Sequence, residues 1–418
     1  MLRAVKVRIY PNKEQRVQLN KTLGAYRFVY NYMLDLKQKE YKESKKDLSR
    51  FDLNSVLTKL RKDENCLWLS EVNISVLRQS IRQMLVAYKN FFKEHRGFPK
   101  FKSRNNVQTA LFPINSISKK NTFERKTITL TKNLEDIRFR CSEEFYSRLK
   151  KYKDGLKGAT LTKSKSNKYY LSILIEIDDS EINLLPHTKK DVGIDLGVKD
   201  FVITSDGEFF ENKNFLTKKE KLLKKLNRQL SKKKNGSNNK NKQHLKIAKL
   251  HDKIANKKDY YVHEVVNKLL SNYDNVYMED LNVKGMLRNH KLAKAISEVG
   301  FYKFRNLLET KAAENAKNVG FIDRFYPSSK TCHNCGYIKN DLTLNIRKWT
   351  CPECGMEHNR DVNAAINILK EGSRLAMEGV TVEKVTKKKA ATTKKKTVKK
   401  TDDSTTKEAV TVVSEVSA

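Results

Sequence analysis

Residues 332–369 read CHNCGYIKNDLTLNIRKWTCPECGMEHNRDVNAAINIL, and this stretch decides how the C-terminal part of the chain folds. It contains two Cys-x-x-Cys pairs separated by fifteen residues, and each pair is followed directly by a glycine, Gly336 or Gly355. Pairs at this spacing are typical of a tetrahedral zinc site, and the glycines permit the positive φ that a tight knuckle often needs. The stretch therefore predicts a zinc ribbon with the ligands Cys332, Cys335, Cys351 and Cys354.

The metal predicted for this ribbon is expected to be structural and not catalytic. Four thiolates fill a tetrahedral Zn²⁺ shell and leave no position open for water or substrate. Disulfides or redox-active thiols are the alternative for the same cysteines, although paired knuckles are more typical of zinc. Any chemistry is therefore expected to come from other residues of the chain.

The ribbon is followed by a segment with helical periodicity. Val362, Ala365, Ile366 and Leu369 recur at helical spacing and are expected to form its buried face. Asp361 would open the first turn of this helix. A carboxylate there also complements the helix dipole, so a capping role is the alternative to a functional one.

Two further acids lie on segments with strand character. In DVGIDLG, Val192 and Ile194 form an apolar strand that contains Asp195, and in NVYMED the strand ends at Glu279. Asp is depleted in strands, and side chains at strand ends face crevices. We therefore expect both acids to converge with Asp361 at one edge of a mixed sheet flanked by helices. Such a cluster suits two Mg²⁺ or Mn²⁺ ions that promote hydrolysis of a phosphodiester.

The composition indicates a polyanionic partner. The chain has 418 residues, with 86 Lys and Arg against 48 Asp and Glu, and a formal net charge of +38. The lysine-rich residues 381–418 account for only a small part of this charge, so about 33 positive charges remain on the rest of the chain. A field of this sign and size points to nucleic acid.

The cysteine usage and the hydropathy point to the inside of a cell. No secretory signal and no run of about twenty apolar residues is found in the sequence. Four of the six cysteines belong to the predicted ribbon, and Cys66 and Cys141 are expected to be buried thiols. A reducing compartment is therefore expected.

The N-terminal part of the chain is predicted to be a β-domain interrupted by helices. Leu2–Ile9 alternates as a strand, and residues 11–104 are predominantly helical, beginning with a capping-box-like pair, Asn12 and Gln15. Short strands follow within residues 105–185, at a spacing typical of a small antiparallel barrel or sandwich. The helical segment would then be an insertion into the β-domain.

Two basic helical regions are candidates for contact with nucleic acid. The segment SVLRQSIRQMLVAYKNFF mixes aromatic residues with Arg78, Arg82 and Lys89, a combination that suits phosphate backbones and stacked bases. Arg78 and Gln79 also have side chains able to make bidentate contacts with base edges. Residues 215–270 predict two basic helices whose Lys and Arg side chains form a phosphate-binding surface. A solvated charged face is the alternative for both regions.

Several motifs together resemble a known family. DVGIDLGVKDF, VYMEDLNVKGM, YPSSKTCHNCG with CPECG, and NRDVNAAINIL are similar to the successive RuvC and zinc-ribbon motifs of TnpB. TnpB, also called OrfB, is a protein of insertion sequences related to the type V CRISPR nucleases. IYPNKEQ, YRFVYNYML and YKNFFKEHRGFPKFKSR resemble the N-terminal segments of the same family. The resemblance spans residues 1 to about 370.

The resemblance implies a multidomain fold of the α/β and α+β classes. Its expected parts are a β-barrel wedge domain at 1–10 and 105–185, a helical recognition domain at 11–104, an RNase H-like (RuvC) nuclease domain at 186–325 and 356–372, and an inserted zinc ribbon at 326–355. The composition of residues 373–418, which lack aromatic residues and are rich in Lys, Thr and Val, predicts a disordered basic tail.

The resemblance also implies RNA-guided, metal-dependent cleavage of DNA beside a short flanking motif. Asp195, Glu279 and Asp361 match the family's catalytic carboxylates, which would hold Mg²⁺ or Mn²⁺, and the four ribbon cysteines match its Zn²⁺ ligands. Expected partners are a guide RNA, double-stranded target DNA and its displaced single strand, with no membrane. The expected location is the cytoplasm or nucleoid of a prokaryotic cell. A DNA transposase, or an accessory or regulatory DNA-binding protein, is the alternative function.

Overall fold

The computed structural model of the protein describes residues 2–118, 123–178, 184–343 and 345–379. The chain divides into two units, of which the first contains Met1–Ile182 and Lys219–Ala255 and the second contains Asn183–Lys218 and Asn256–Ala418. Within the described ranges, every helix is too short or too polar to cross a membrane.

The first unit is built on a six-stranded antiparallel sheet. Its strands are β1 (Leu2–Tyr10), β2 (Gln108–Pro113), β3 (Thr127–Ile128), β4 (Ile137–Arg140), β5 (Leu156–Lys163) and β6 (Tyr169–Glu176). They lie in the order β2-β5-β6-β1-β4-β3. β1 pairs with both β4 and β6, which confirms that the first strand joins the later ones. Among the described strands no pairing joins β2 to β3, so the sheet is open in this order.

Helices are inserted between β1 and β2, as the sequence predicts. They are α1 (Lys13–Ser44), α2 (Arg50–Leu60), a 3₁₀ helix (Glu64–Glu71) and α3 (Ile74–Glu94). The predicted capping box is present, since Asn12 N–H donates to Gln15 Oε1 at 2.9 Å and Gln15 N–H to Asn12 Oδ1 at 2.8 Å. α1 packs Leu19 and Leu23 onto the sheet and buries Met33 against α2 and α3. A further helix, α4 (Glu143–Lys151), follows β4 and was not predicted.

Two lysine-rich helices follow, as predicted from residues 215–270. They are α5 (Glu220–Ser231) and α6 (Asn238–Asn272). The polar stretch SKKKNGSNNKNK at 231–242 predicts a loop between the two helices, but α6 already begins within it. Gln243 of α6 donates to the carbonyl oxygen of Leu226 in α5 at 3.0 Å. The segment Lys219–Ala255 groups with the first unit, although its sequence was assigned to the nuclease domain. The reason is local, because Asp252 binds Ser166 and Lys168 in the turn between β5 and β6.

The second unit contains a mixed five-stranded sheet. Its strands are β7 (Asp191–Asp195), β8 (Asp200–Thr204), β9 (Phe209–Glu211), β10 (Asn275–Glu279) and β11 (Asn318–Ile322), in the order β11-β10-β7-β8-β9. β7, β10 and β11 are parallel, whereas β8 and β9 form the predicted antiparallel hairpin. Gly207 closes this hairpin with φ of 81°. The remaining elements are α7 (Val283–Met286), α8 (His290–Val299), α9 (Phe301–Glu314), β12 (Lys348–Thr350), β13 (Glu357–Asn359) and α10 (Arg360–Met377).

Two element boundaries differ from the sequence prediction. The segment FIDRFY at residues 321–326 is predicted from its sequence to be a strand, but β11 begins earlier, at Asn318, because it pairs in register with β10 from Asn318 to Ile322. The next residue, Asp323, accepts a hydrogen bond from the N–H of Phe325 at 2.9 Å and turns the chain. The predicted tail at 373–418 was also placed too early, since α10 continues to Met377 and Arg374 pairs with acids on the same helix. Residues 380–418 lie outside the described residues.

One buried ion pair holds together the N-terminal ends of the three parallel strands. The Lys317 side chain, 0% exposed, lies 3.0 Å from Asp274 Oδ1 and donates to the carbonyl oxygens of Leu270 and Tyr273. Asp274 also accepts from the backbone N–H groups of Thr188 and Lys189, at 2.8–3.1 Å. Because these residues directly precede β7, β10 and β11, the pair fixes the strand ends opposite Glu279.

The replacement Asp274→Asn is expected to lower the unfolding temperature at neutral pH, because Lys317 keeps its charge but loses its carboxylate. Burial alone would raise the pKa of Asp274, but the two N–H donors and Lys317 outweigh it and hold the pKa well below its usual range. The stabilisation is therefore present above the unfolded pKa of about 4 and is lost as the pH falls through the folded pKa.

Unfolding temperatures measured from neutral to acid pH test this prediction. The gap between wild type and Asp274→Asn should narrow as the pH falls, whereas Asp35→Asn, in an exposed pair with Lys39, should change little. A gap that is independent of pH would contradict the assignment.

Candidate active site

The C-terminal ends of β7 and β10 carry two of the three predicted acids. These strands are parallel neighbours in which Ile194 pairs with Met278, so the next residues, Asp195 and Glu279, leave the sheet side by side. Both acids are partly exposed. The strand assignment made from sequence is therefore correct at both positions.

Helix α10 carries the third acid and packs closely on β7. A Cβ placed on Gly193 would lie 2.1 Å from the carbonyl oxygen of Ala365 and 2.5 Å from the nitrogen of Leu369. Only glycine therefore permits this approach of helix and strand. Since Asp361 lies one turn before Ala365, the same contact brings its carboxylate toward the end of β7.

The replacement Gly193→Ala is expected to destabilise the second unit and displace α10, because a methyl group cannot occupy space 2.1 Å from a backbone oxygen. Overpacking of this kind costs about 1–3 kcal/mol or more. Thermal unfolding measures the loss of stability. Gly207→Ala in the hairpin turn is the comparison, because an added Cβ there meets no neighbouring atom and only strains the backbone. An unfolding temperature equal to that of the wild type would show that α10 does not need this contact.

The three carboxylates influence one another electrostatically. Burial and the neighbouring charges of Glu279 and Asp361 raise the pKa of Asp195 to about 7, against the opposing charge of Arg360. Burial raises the pKa of Glu279, and a hydrogen bond from Ser328 Oγ to Glu279 Oε1 at 2.5 Å counteracts it. A carboxyl group whose pKa is raised by burial and by neighbouring acids, as that of Asp195 is, is characteristic of sites that bind cations or protons.

Asp361 does not cap its own helix. The N-cap is Asn359, whose Oδ1 accepts from the N–H groups of Asp361 and Val362 at 3.1 and 3.3 Å. The carboxylate of Asp361 is instead held by two guanidinium groups, those of Arg360 at 3.0 Å and of Arg347. Its side chain is therefore occupied with cations and not with the helix terminus, which argues against the capping alternative.

The acid next to Glu279 has a different environment. Asp280 is bound by Arg305 at 2.6 Å and by Arg324. Burial would raise the pKa of Asp280, but these two arginines outweigh it and lower the pKa. Asp280 is thus a neutralised ion-pair partner, whereas Glu279 belongs to the acid cluster.

A cleft of about 240 Å³ opens beside Glu279. Arg305 and Arg324 line it together with the exposed ring of Tyr302. Cations and an aromatic ring are the groups that hold a phosphodiester and a base. The cleft therefore has the chemistry expected for a nucleic-acid strand beside the acids.

The ribbon brings its four cysteines together as predicted. Their sulfur atoms all lie within 4.8 Å of one another, and the pairs Cys332–Cys354 and Cys335–Cys351 are 3.6 Å apart. Tetrahedral zinc with Zn–S bonds of about 2.3 Å requires S–S separations near 3.8 Å, whereas a disulfide requires about 2.05 Å. The geometry fits zinc and excludes disulfides among these cysteines.

The two knuckles have the same backbone hydrogen bonds. Gly336 N–H donates to the Cys332 carbonyl at 3.0 Å, and Gly355 N–H donates to that of Cys351 at 2.9 Å. Both glycines have positive φ, 81° and 72°, as the sequence predicts. The knuckle backbone is therefore formed by the chain itself.

One histidine supports the ribbon from the side of α10. His358 is buried, its Nε2 lies 3.0 Å from Cys332 Sγ, and its ring packs on Trp349. Burial and the nearby ring of His333 lower the pKa of His358, which favours the neutral imidazole. With the hydrogen on Nε2, the imidazole donates to the thiolate and orients it.

The buried face of α10 differs from the one predicted. Val362, Ile366 and Leu369 are only partly buried, whereas Ala365 is buried as expected. Asn363 and Asn367 are buried instead, because both donate to the carbonyl oxygen of Thr331, at 2.7 and 2.6 Å. The signal in the sequence was a pair of asparagines four residues apart in an otherwise apolar helix.

Among the described His, Cys, Asp and Glu residues, the four ribbon cysteines are the group whose ligand atoms lie close enough together to share a metal. The three acids do not form such a group, since Asp361 is paired with Arg347 and Arg360. The structure thus brings the acids into electrostatic contact but not into a closed ligand set. Their oxygen donors are nevertheless of the kind that Mg²⁺ and Mn²⁺ prefer.

The predicted nucleic-acid residues lie on α3. Arg78, Arg82 and Lys89 are exposed and share one face of the helix, while Gln79 is partly buried. Burial lowers the pKa of Arg61, and the charge of Arg78 is the second cause. Arg61 is therefore a further cation near Arg78. The structure leaves these side chains available for contact with nucleic acid.

Three protein-family profiles match the sequence. Residues 301–368 match the "Cas12f1-like, TNB domain", residues 172–290 match a profile described as "Probable transposase", and residues 1–46 match a "Helix-turn-helix domain". The last region consists here of the strand β1 and the single helix α1.

Full-length relatives decide the family. The chain is 34% identical over 372 residues to a candidate RNA-guided DNA endonuclease of Streptomyces pristinaespiralis, covering 88% of this chain and 89% of that protein. It is 30% identical over 398 residues to InsQ, a protein named in the same way in Escherichia coli strain K12, covering 91% and 95%. The chain belongs to the TnpB family. A TnpB-like protein of Acanthamoeba polyphaga mimivirus is 32% identical over 198 residues, 44% of this chain and 38% of that protein.

Solved structures show that this TnpB-family chain shares its fold with CRISPR effectors. A Cas12f1 chain from a complex with guide RNA and target DNA superposes with a TM-score of 0.51 at 15% identity, covering 88% of this chain and 98% of the other. The mini-RNA-guided endonuclease CRISPR-Cas_phi3 gives a TM-score of 0.51 at 11% identity, covering 89% and 92%. At sequence identities of 15% and 11%, these two superpositions show a shared fold.

Proposed function

We propose that the protein is an RNA-guided DNA endonuclease of an insertion sequence, which hydrolyses phosphodiester bonds of target DNA beside a short flanking motif. The observation that carries the proposal is that Asp195 and Glu279 end neighbouring parallel strands, with Glu279 and Asp361 close enough to Asp195 for their charges to raise its pKa. It is supported by relatives of nearly the same length that are named as enzymes of this class.

The proposal assigns the second unit to an RNase H-like (RuvC) nuclease domain with an inserted zinc ribbon. The mixed sheet, the acids at its edge and the four-cysteine cluster support this assignment. The six-stranded sheet would be the wedge domain, and the helices between β1 and β2 would be the recognition domain.

Asp195, Glu279 and Asp361 would hold Mg²⁺ or Mn²⁺, and the ribbon cysteines would hold Zn²⁺. Bound to the acids, the divalent ions would activate water and stabilise the leaving oxygen. Ser328 holds one oxygen of Glu279 and thereby orients it. Arg347 and Arg360 hold the carboxylate of Asp361 in place.

The cleft beside Glu279 would hold the strand to be cut. Arg305 and Arg324 are already paired with Asp280, which fixes their guanidinium groups at the cleft wall. A fixed guanidinium positions a phosphate at little entropic cost. Tyr302, 68% exposed, is available for stacking against a base.

Partners follow from the charge and the family. Pairing with a guide RNA would supply sequence specificity, so the protein would mainly need cations for nucleic-acid backbones, and its net charge is +38. Arg78, Gln79, Arg82 and Lys89 are proposed to contact target DNA, and the displaced single strand is the further partner. The site of action would be the cytoplasm or nucleoid of a prokaryotic host.

Co-purification tests the proposal. The protein expressed beside its native transposon end should carry one defined RNA, and this complex should cut DNA that matches the RNA in the presence of Mg²⁺. Strand joining without RNA would favour a transposase instead. Absence of a defined RNA together with absence of metal-dependent cutting would favour a regulatory DNA-binding protein.

A further inference from the structure

Three cations gather at the edge strand of the six-stranded sheet. Arg27 of α1 donates to Gln108 Oε1 at 2.6 Å, and Gln108 is the first residue of the edge strand β2. The other cations are Arg104, in the loop before β2, and Lys163, at the end of β5. We call Arg27, Arg104 and Lys163 the edge cluster.

Gln108 organises the edge cluster. While its Oε1 accepts from Arg27, its Nε2 donates to the carbonyl oxygens of Ser103, Arg104 and Asn106 at 2.9–3.1 Å. The amide therefore fixes the turn that carries Arg104. Lys163 is the direct partner of Gln108 in the β2–β5 ladder. One side chain thus links all three cations to a rigid sheet edge.

Polar groups on α1 hold the third cation in the same way. Lys163 Nζ donates to Asn20 Oδ1 at 2.8 Å, and the same oxygen accepts from Tyr169 O–H at 3.0 Å. Asn20 and Arg27 lie seven residues apart and therefore share one face of α1. The cluster is built from neutral hydrogen-bond partners on helix and sheet.

No carboxylate compensates the edge cluster among the described residues. Burial and the charge of Arg104 lower the pKa of both Arg27 and Lys163, and no acid is among the causes. Elsewhere on α1 the cations Lys21 and Lys39 form ion pairs with Glu71 and Asp35. Repulsion between fixed, uncompensated cations is relieved by an anion from outside.

We propose that Arg27, Arg104 and Lys163 form a binding site for a phosphodiester group of a nucleic-acid backbone. All three side chains are at least partly exposed, so a phosphate can reach them. The turn held by Gln108 carries Arg104 beside the pairing of β2 with β5, close enough for its charge to act on Arg27 and Lys163. The site rests on the proposed function only in taking nucleic acid as the source of the phosphate, and guide RNA and target DNA share this chemistry.

Salt-dependent binding tests the site. The probes are a labelled mixed-sequence RNA hairpin and a DNA duplex of the same sequence, and the protein is full-length Arg104→Gln/Lys163→Gln. We expect roughly tenfold weaker binding at moderate salt, and a slope of log affinity against log salt that is flatter by about 1 per lost contact. A loss with RNA only assigns the site to RNA, and a loss with DNA only assigns it to DNA.

The matched control removes two charges from the same unit. Lys39→Gln/Lys42→Gln alters exposed residues of α1 and should leave both affinity and slope nearly unchanged. Arg104→Lys/Lys163→Arg keeps the charges and should retain most of the binding. Thermal unfolding confirms that all variants are folded. The site is refuted if Arg104→Gln/Lys163→Gln loses no more affinity than the control variant for the RNA hairpin and also no more for the DNA duplex.

This outcome is independent of the proposed function, because the assay contains neither a guide nor a cleavage step. Guided cutting by the wild type with no binding defect in the edge variant would refute the site and leave the function standing. A binding defect in Arg104→Gln/Lys163→Gln, together with no guided cutting by the wild type, would support the site and refute the proposed function.

Discussion

Replacing Asp195 by asparagine is expected to abolish DNA cleavage and leave guide-RNA binding nearly intact, and Glu279→Gln should behave in the same way. Both changes keep the shape of the side chain but remove a charge from the site proposed to hold Mg²⁺ or Mn²⁺. A loss of cleavage of roughly a thousandfold or more is expected when a metal-binding carboxylate is neutralised. Single-turnover cleavage of matched DNA measures it.

Asp195 is the best position for this test. Its pKa is raised by burial and by the two neighbouring acids, so neutralising it relieves repulsion in the metal-free protein. By contrast, Asp361→Asn would leave the guanidinium groups of Arg347 and Arg360 without their partner and would disturb the fold as well. A variant that is at least as stable as wild type and inactive separates chemistry from folding.

A control from the same sheet completes the experiment. Glu208 lies in the hairpin of β8 and β9 and pairs with Lys268, outside the acid cluster. Glu208→Gln should cut at a rate close to that of the wild type. Cutting by Asp195→Asn at the rate of this control would remove Asp195 from the proposed active site.

The second large effect is expected from Cys351→Ser, which should lose zinc and unfold the ribbon. Among the residues that the structure describes, the ribbon's own apolar cluster consists of Cys332, Leu342, Trp349 and Cys351, with Tyr337 packed against it. So small a core cannot offset the conformational entropy of the loop, so the metal must supply the difference. Structural zinc binding supplies about 10–16 kcal/mol in small zinc-dependent folds.

Metal analysis and thermal unfolding measure this loss. One zinc per chain is expected in the wild type and none, or a weakly held one, in Cys351→Ser. Cys66→Ser, in the helical region of the first unit, is the control and should retain the metal. Pure wild-type protein without zinc would contradict the metal site, and a zinc-free Cys351→Ser variant as stable as the wild type would contradict its structural role.

Local pattern made much of this structure predictable. The capping box of Asn12, the alternation in β1 and the knuckle glycines each depend on neighbours in sequence, and all three appear in the structure. The strands that carry Asp195 and Glu279 were likewise recognisable, because a carboxylate in an apolar strand is unusual. The resemblance to TnpB then joined these signals into one architecture, and the full-length relatives support that family.

Contacts between distant segments were not predictable. Nothing near Asp361 in the sequence marks Arg347 as its partner, and Ser328 is separated from Glu279 by 49 residues. The buried asparagines of α10 were missed for the same reason, since helical periodicity counts them as polar and exposed. The edge cluster depends on the pairing of β2 with β5, which becomes visible only once the sheet is formed.

The tight connection between ribbon and helix restricts where the chain can change its length. Only residues 355–360 separate Cys354 from Asp361, and they already contain the strand β13 and the N-cap. One inserted residue here would turn the start of α10 by about 100° or move His358 to the other side of β13. The connection between the two cysteine pairs is longer, and Tyr337, Leu342, β12 and Arg347 are the parts of it that already have a structural role. Insertions and deletions during divergence should therefore accumulate before β12, and a foreign loop or tag is best placed there.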